Sequence, residues 1–170
     1  AVLAVFLAAP SLANDIESGV LLPILTRPLS RHAVIGGKAI ALAIVVCIYA
    51  AASGTAEFLV VRMATGYLPP HPAACIAYLC LLALAMMAMA IALSTRLSAI
   101  AASVVAIMFF GIAWMGGIAQ SLGMYYGNPA VRDAGTITQL VLPTDAMWRS
   151  AVFQLEPAVF IATISAAHVW

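Results

Sequence analysis

The sequence predicts an all-helical bundle that spans a membrane several times, and three observations support this fold class. Of the 170 residues, 65% are hydrophobic and only 8% are charged, whereas soluble domains are about 45–50% apolar and about 25% charged. Several apolar runs approach or exceed the roughly 20 residues that cross a bilayer as a helix. The runs are separated by short segments that contain charges, prolines and glycines. A helix satisfies its own backbone hydrogen bonds in lipid, so each run is expected to be a helix.

The composition also excludes some functions. The formal net charge is +1, and seven basic residues spread along a chain do not form the dense basic surface that nucleic-acid binding needs. The three cysteines lie in or beside apolar runs without a histidine at metal-ligand spacing. We therefore expect no nucleic-acid partner, no metal and no other cofactor.

Residues 1–13 are apolar but too short for a complete span, at 1.5 Å of rise per residue. They are interpreted as the end of a transmembrane helix that starts earlier in a longer protein. The alternative is the core of a signal peptide, with Ser11–Ala13 resembling a cleavage site. The signal interpretation lacks a basic region before the apolar run. The chain starts without Met and ends inside an apolar run, so we expect a fragment.

Residues 14–38 form the first polar segment, which mixes charges and helix breakers with an apolar stripe at four-residue spacing. Asn14 or Asp15 is expected to cap a new helix, with Glu17 in its first turn. Such a helix would lie along the membrane interface and end before Pro28, which disfavours helical geometry in the preceding residue. The alternative is an ordinary polar loop.

Three complete spans follow, at residues 39–61, 73–93 and 99–119. Glu57 lies within the first of them, and a carboxylate within a span is by default a functional candidate. The interpretation favoured here places Glu57 at headgroup level, paired with Arg62.

Residues 120–157 form a second polar segment, and 158–170 are expected to start a last span. As far as Leu142 the segment is rich in turn signals. A short amphipathic helix is predicted after it, with Thr144 as its cap and an i,i+4 ion pair between Asp145 and Arg149.

The basic residues predict the orientation. If 14–38 is cytoplasmic, then the tight turn with Arg96 is cytoplasmic too, and Arg62 is outside. Lysine and arginine in short loops favour the cytoplasmic side. We therefore expect a multi-pass protein of the cytoplasmic (inner) membrane with 120–157 as an external segment.

Known catalytic patterns do not occur in the chain. Gly36-Gly37-Lys38 resembles the end of a nucleotide-binding loop, but that pattern needs glycine where His32 stands and a hydroxyl where Ala39 stands. The chain is therefore not expected to be an enzyme. If ATP drives its function, another polypeptide binds the ATP.

Three short motifs occur in order within segment 14–38: Glu17-Ser18-Gly19, Arg27-Pro28-Leu29-Ser30-Arg31 and Gly37-Lys38. Together they resemble the cytoplasmic segment of ABC-2 type transporter permeases. A less specific likeness, in Pro143-Thr144-Asp145 and Trp148-Arg149, is to the NosY-like, multicopper-enzyme-maturation branch. Val20 and Pro23 depart from the family pattern.

The resemblance implies a fragment of a six-span permease of the type V-like architecture, with a cytoplasmic coupling helix. It implies two partners, a cytoplasmic ABC ATPase and a second permease subunit, in a homodimer or heterodimer. The residues that it places at the ATPase-coupling interface are Glu17, Gly19, Arg27, Pro28, Arg31 and Lys38.

Two other functions stay open at this stage. One is a membrane anchor or assembly factor that recruits a cytoplasmic partner without transport. The other is an intramembrane enzyme that uses Glu57 or His71. Neither the residues nor the resemblance specify a substrate.

Overall fold

The computed structural model describes residues 2–17 and 31–156, and within these ranges it is all-helical, without strands. The predicted fold class is confirmed. The six helices are α1 (Val2–Glu17), α2 (Arg31–Thr65), α3 (Pro72–Ser94), α4 (Ala99–Tyr125), α5 (Pro129–Val141) and α6 (Thr144–Phe153).

Among the described residues, three helices are long and apolar enough to cross a membrane: Ile35–Thr65 within α2, the whole of α3 and the whole of α4. They correspond to the three predicted spans. The helix α2 is longer than predicted, because it begins before Lys38 and continues past Arg62. With 35 residues it is about 50 Å long, so it extends beyond a hydrocarbon core of about 30 Å.

The helix α1 corrects one prediction. It runs through Asn14 and Asp15 and ends at Glu17, so a new helix does not begin at either residue. Polar side chains at the end of an apolar helix reach the membrane surface and do not have to terminate it. The rest of the predicted interfacial helix, and its end before Pro28, lie outside the described residues.

The core is formed where α1 packs on α3 and α4, and α2 packs on α3 as well and contributes Val46 to the core. Small residues dominate it, and small residues let helices approach closely in lipid, where van der Waals packing drives association. The buried core residues include Ala4, Val5, Ala8 and Ala9 of α1, Ala83, Met86, Met87 and Ala90 of α3, and Ala102 and Ala106 of α4.

Two polar contacts mark opposite ends of the bundle. At the Lys38 end, Lys38 of α2 lies beside Ser11 of α1 and Ile91 of α3. The turn with Arg96 follows α3 at this same end. At the Tyr67 end, the hydroxyl of Tyr67 donates a hydrogen bond of 2.7 Å to the carbonyl of Leu155. The structure therefore groups Lys38 with Arg96, as the charge pattern predicts.

Candidate functional site

The Lys38 end holds a polar tie between α1 and α2. The ammonium group of Lys38 donates a hydrogen bond to the backbone carbonyl of Ser11. The hydroxyl of Ser11 donates in turn to the carbonyl of Ala8 at 2.9 Å. The surrounding side chains are Ile35, Leu42 and Ile91 with Ala39. A charged group among apolar side chains is costly without a partner, so this contact holds the two helices together.

The tie lies close to the point where both helices leave the bundle. The helix α1 ends at Glu17, and α2 begins at Arg31. At 1.5 Å per residue, each helix extends about 10 Å beyond the tie. A force on residues 18–30 therefore reaches α1 and α2 next to the bond between Lys38 and Ser11.

The structure places the predicted coupling residues as follows. Glu17 is the last residue of α1, Arg31 is the first residue of α2, and Lys38 lies in the third turn of α2. Gly19, Arg27 and Pro28 lie outside the described residues. Sequence reasoning missed Ser11, because a backbone carbonyl acceptor leaves no signal in the residue types.

A second polar cluster is centred on Asp145 of α6, which is only 2% exposed. Its Oδ2 accepts a hydrogen bond of 2.7 Å from Nε of Arg149 and one of 2.9 Å from Nε2 of Gln139. Nη1 of Arg149 also donates to the hydroxyl of Ser121 at 3.0 Å. Since Gln139 is on α5 and Ser121 on α4, the cluster joins three helices. The predicted pair of Asp145 and Arg149 is confirmed.

The prediction that Thr144 caps α6 was wrong. Pro143 is the N-cap residue, and no side chain caps the helix there. The backbone at Pro143 has φ −73° and ψ 5°, which is closer to helical than to the extended geometry that a capping residue adopts. The hydroxyl of Thr144 is buried instead, without a hydrogen-bond partner among the described residues.

The helix α5 was not predicted, because its segment is rich in turn signals. Gly127 with φ 64° is at the turn, and Asn128 caps α5 by accepting from the N–H of Ala130 at 3.1 Å. The helix then runs back along α4. A Cβ on Gly135 would lie 2.6 Å from the carbonyl oxygen of Gly116 and 2.5 Å from the backbone nitrogen of Gln120. Gly127 therefore lies in a turn as the pattern indicates, whereas Gly135 belongs to the contact surface of two packed helices.

Two cavities lie beside the Asp145 cluster, and Phe110 and Trp148 line both of them. The first has a volume of about 190 Å³ and is lined by Glu57 of α2. The second has a volume of about 370 Å³ and is lined by Trp114 and Asp145. We call the first the Glu57 cavity and the second the Asp145 cavity.

Glu57 does not form the predicted ion pair with Arg62 in the described part of the chain. The five-residue spacing places the two side chains on different sides of α2. His71 is the N-cap residue of α3 and does not line the Glu57 cavity. The two residues considered for an intramembrane enzyme are thus not brought together at that cavity.

The comparison with known protein families gives one match. A family model described as "ABC-2 family transporter protein" matches residues 1–167. No curated protein and no solved structure matches the chain significantly. The matched range includes both polar segments and all six helices.

Proposed function

Because the chain belongs to the ABC-2 transporter family, whose membrane domain is a permease and is not itself catalytic, we propose that it moves a substrate across the cytoplasmic membrane with energy from a separate ATPase. The observation that carries the proposal is the match over residues 1–167. The three membrane-length helices agree with a permease. The second permease subunit and the location in the inner membrane are parts of the same proposal.

The residues proposed to contact the ATPase are Glu17, Gly19, Arg27, Pro28, Arg31 and Lys38. Their support is the position of the segment between two helices that are tied at Lys38. When the ATPase moves, residues 18–30 move with it. The bond between Lys38 and Ser11 joins α1 and α2 at this end, so the movement reaches both helices.

The experiment is co-purification of the full-length protein in mild detergent. The variants are Glu17→Lys and Arg31→Glu, and the matched control is Arg96→Glu, which reverses a charge at the same end of the bundle but outside the segment. We expect a P-loop ATPase to co-purify with the wild type and the control, and to be lost from both variants. Each variant should elute from size exclusion like the wild type.

Two results would count against the proposal. If no ATPase binds the wild type, the coupling mechanism has no partner. If an ATPase binds but its hydrolysis is dispensable for the function of the complex, the chain is a membrane anchor or assembly factor. A loss of binding in the Arg96→Glu control as well would show that the contact is not confined to residues 17–38.

A further inference from the structure

We propose that the Glu57 cavity binds an alkylated ammonium group, the cationic head of an organic ligand. The inference names a substrate class for the transporter and in that respect rests on the proposed function.

Glu57 is the only charged residue among those that line the cavity. It forms no ion pair or hydrogen bond with the rest of the described chain. Its side chain is exposed at the mouth of the cavity and lies within a candidate membrane span, where a carboxylate is costly and is usually paired or functional. A cationic ligand would supply the missing counter-charge.

Aromatic side chains from three helices line the same cavity: Tyr49 of α2, Phe110 of α4 and Trp148 of α6. The faces of such rings attract organic cations, and Tyr49 and Trp148 are 54% and 44% exposed, so a ligand can reach both rings. A carboxylate with several rings is the lining that selects an alkylated ammonium group over a neutral group of the same shape. Neutral ligands gain only the apolar contacts.

Inorganic cations fit the lining less well. A hard cation such as Ca²⁺ takes six to eight oxygen ligands, and the side-chain oxygens here belong to Glu57, Ser53 and Tyr49. The volume of about 190 Å³ is well above the roughly 10–15 Å³ that one water molecule needs, so the cavity has room for an ammonium nitrogen that carries three or four small alkyl groups.

The ligand group has two possible sources, a free amine in solution or the trimethylammonium headgroup of a lipid. Residues of the candidate membrane spans line the cavity together with Trp148 of α6, which is outside those spans. Both a lipid headgroup and a dissolved amine are therefore considered as sources. The chemistry that recognises the group is the same for both. The experiment below separates them.

The test measures binding of labelled choline to the full-length protein in nanodiscs of phosphatidylglycerol, without ATP or ATPase. The competitor is 3,3-dimethylbutan-1-ol, which has the shape of choline without the charge. We expect saturable binding of one choline per chain, with displacement by the neutral alcohol only at concentrations at least tenfold higher. Glu57→Gln should weaken binding at least tenfold, whereas Glu57→Asp should retain it. Glu156→Gln, an acid outside the lining, is the matched control.

A second arm adds phosphatidylcholine to the nanodiscs. Displacement of choline that depends on Glu57 identifies the lipid headgroup as a ligand, and lack of displacement identifies the free amine; both support the site. The proposal is overturned if choline does not saturate, if the neutral alcohol competes equally, or if Glu57→Gln binds like the wild type. Since no ATPase is present, a negative result here leaves the coupling proposal standing, and failed co-purification leaves this one standing.

Discussion

The contact between α4 and α5 predicts that a single methyl group at Gly135 separates two helices. Gly135 is buried, and a Cβ built on it lies 2.6 Å from the carbonyl oxygen of Gly116 and 2.5 Å from the nitrogen of Gln120. Both neighbours are backbone atoms of a continuous helix, so neither can rotate away. The change Gly135→Ala therefore forces α5 outward as a unit.

The size of the effect follows from these distances. Ordinary contact between heavy atoms is at about 3.5 Å, so α5 has to move by about 1 Å, and gaps of that size forfeit a quarter to a half of each contact energy. Overpacking against a rigid neighbour costs about 3 kcal/mol at the upper end. Alanine returns about 1 kcal/mol through its better helix propensity. The expected net loss is about 2 kcal/mol of unfolding free energy.

The assay is unfolding of the full-length protein by SDS in mixed micelles, followed by tryptophan fluorescence. Gly111→Ala is the matched control. Gly111 lies in α4, the helix that Gly135 contacts, and a Cβ there meets nothing within 4 Å. The control should be unchanged or stabilised by up to about 1 kcal/mol. If Gly135→Ala and Gly111→Ala unfold at the same SDS concentration, α5 does not pack on α4 at this distance, and the reasoning is refuted.

Three further predictions concern polar groups. Asp145→Ala should lower the unfolding free energy by roughly 1–3 kcal/mol, because a buried acceptor of two hydrogen bonds is lost. The control Asp133→Ala removes one partner of an exposed ion pair and should change the unfolding free energy by less than about 0.5 kcal/mol. Equal effects of the two variants would contradict the buried cluster. Thr144→Val should be neutral or stabilising by about 1 kcal/mol in the same SDS assay, because the buried Thr144 hydroxyl has no hydrogen-bond partner in the described structure. A loss of unfolding free energy in this variant would show that the hydroxyl does have a hydrogen-bond partner. Lys38→Met should weaken ATPase binding and reduce ATP-driven transport, because Lys38 is part of the proposed contact and also holds Ser11, with Arg96→Gln as the control; full transport by Lys38→Met would show that the tie is dispensable.

The sequence was sufficient to predict the membrane spans and the ion pair, because both depend on local patterns. Long apolar runs have few alternatives in lipid other than helices. Asp145 and Arg149 are four residues apart, so any helix through them brings the two side chains together. The structure has helices of membrane-spanning length at the predicted positions, and it confirms the ion pair.

The prediction failed where a residue type has two common uses. Glycine marks turns, but it also lets membrane helices touch, and only the packing distinguishes Gly127 in the turn from Gly135 in the contact. Asn14 and Asp15 can cap a helix or end one at the membrane surface, and α1 uses them within its last turn. The acceptor for Lys38 was invisible because it belongs to the backbone of Ser11.

The two ends of the bundle lead to one expectation about movement. The helix α1 packs closely on α3 and α4, whereas it makes few direct contacts with α2 apart from the Lys38 tie. The Glu57 cavity lies between these two helices, because Leu3 and Ala4 of α1 line it together with residues of α2. If the ATPase displaces residues 18–30, α2 can therefore pivot about the tie with little loss of packing against α1. Such a pivot changes the width of the Glu57 cavity, so the energy supplied at the Lys38 end would be used where we propose that the ligand binds.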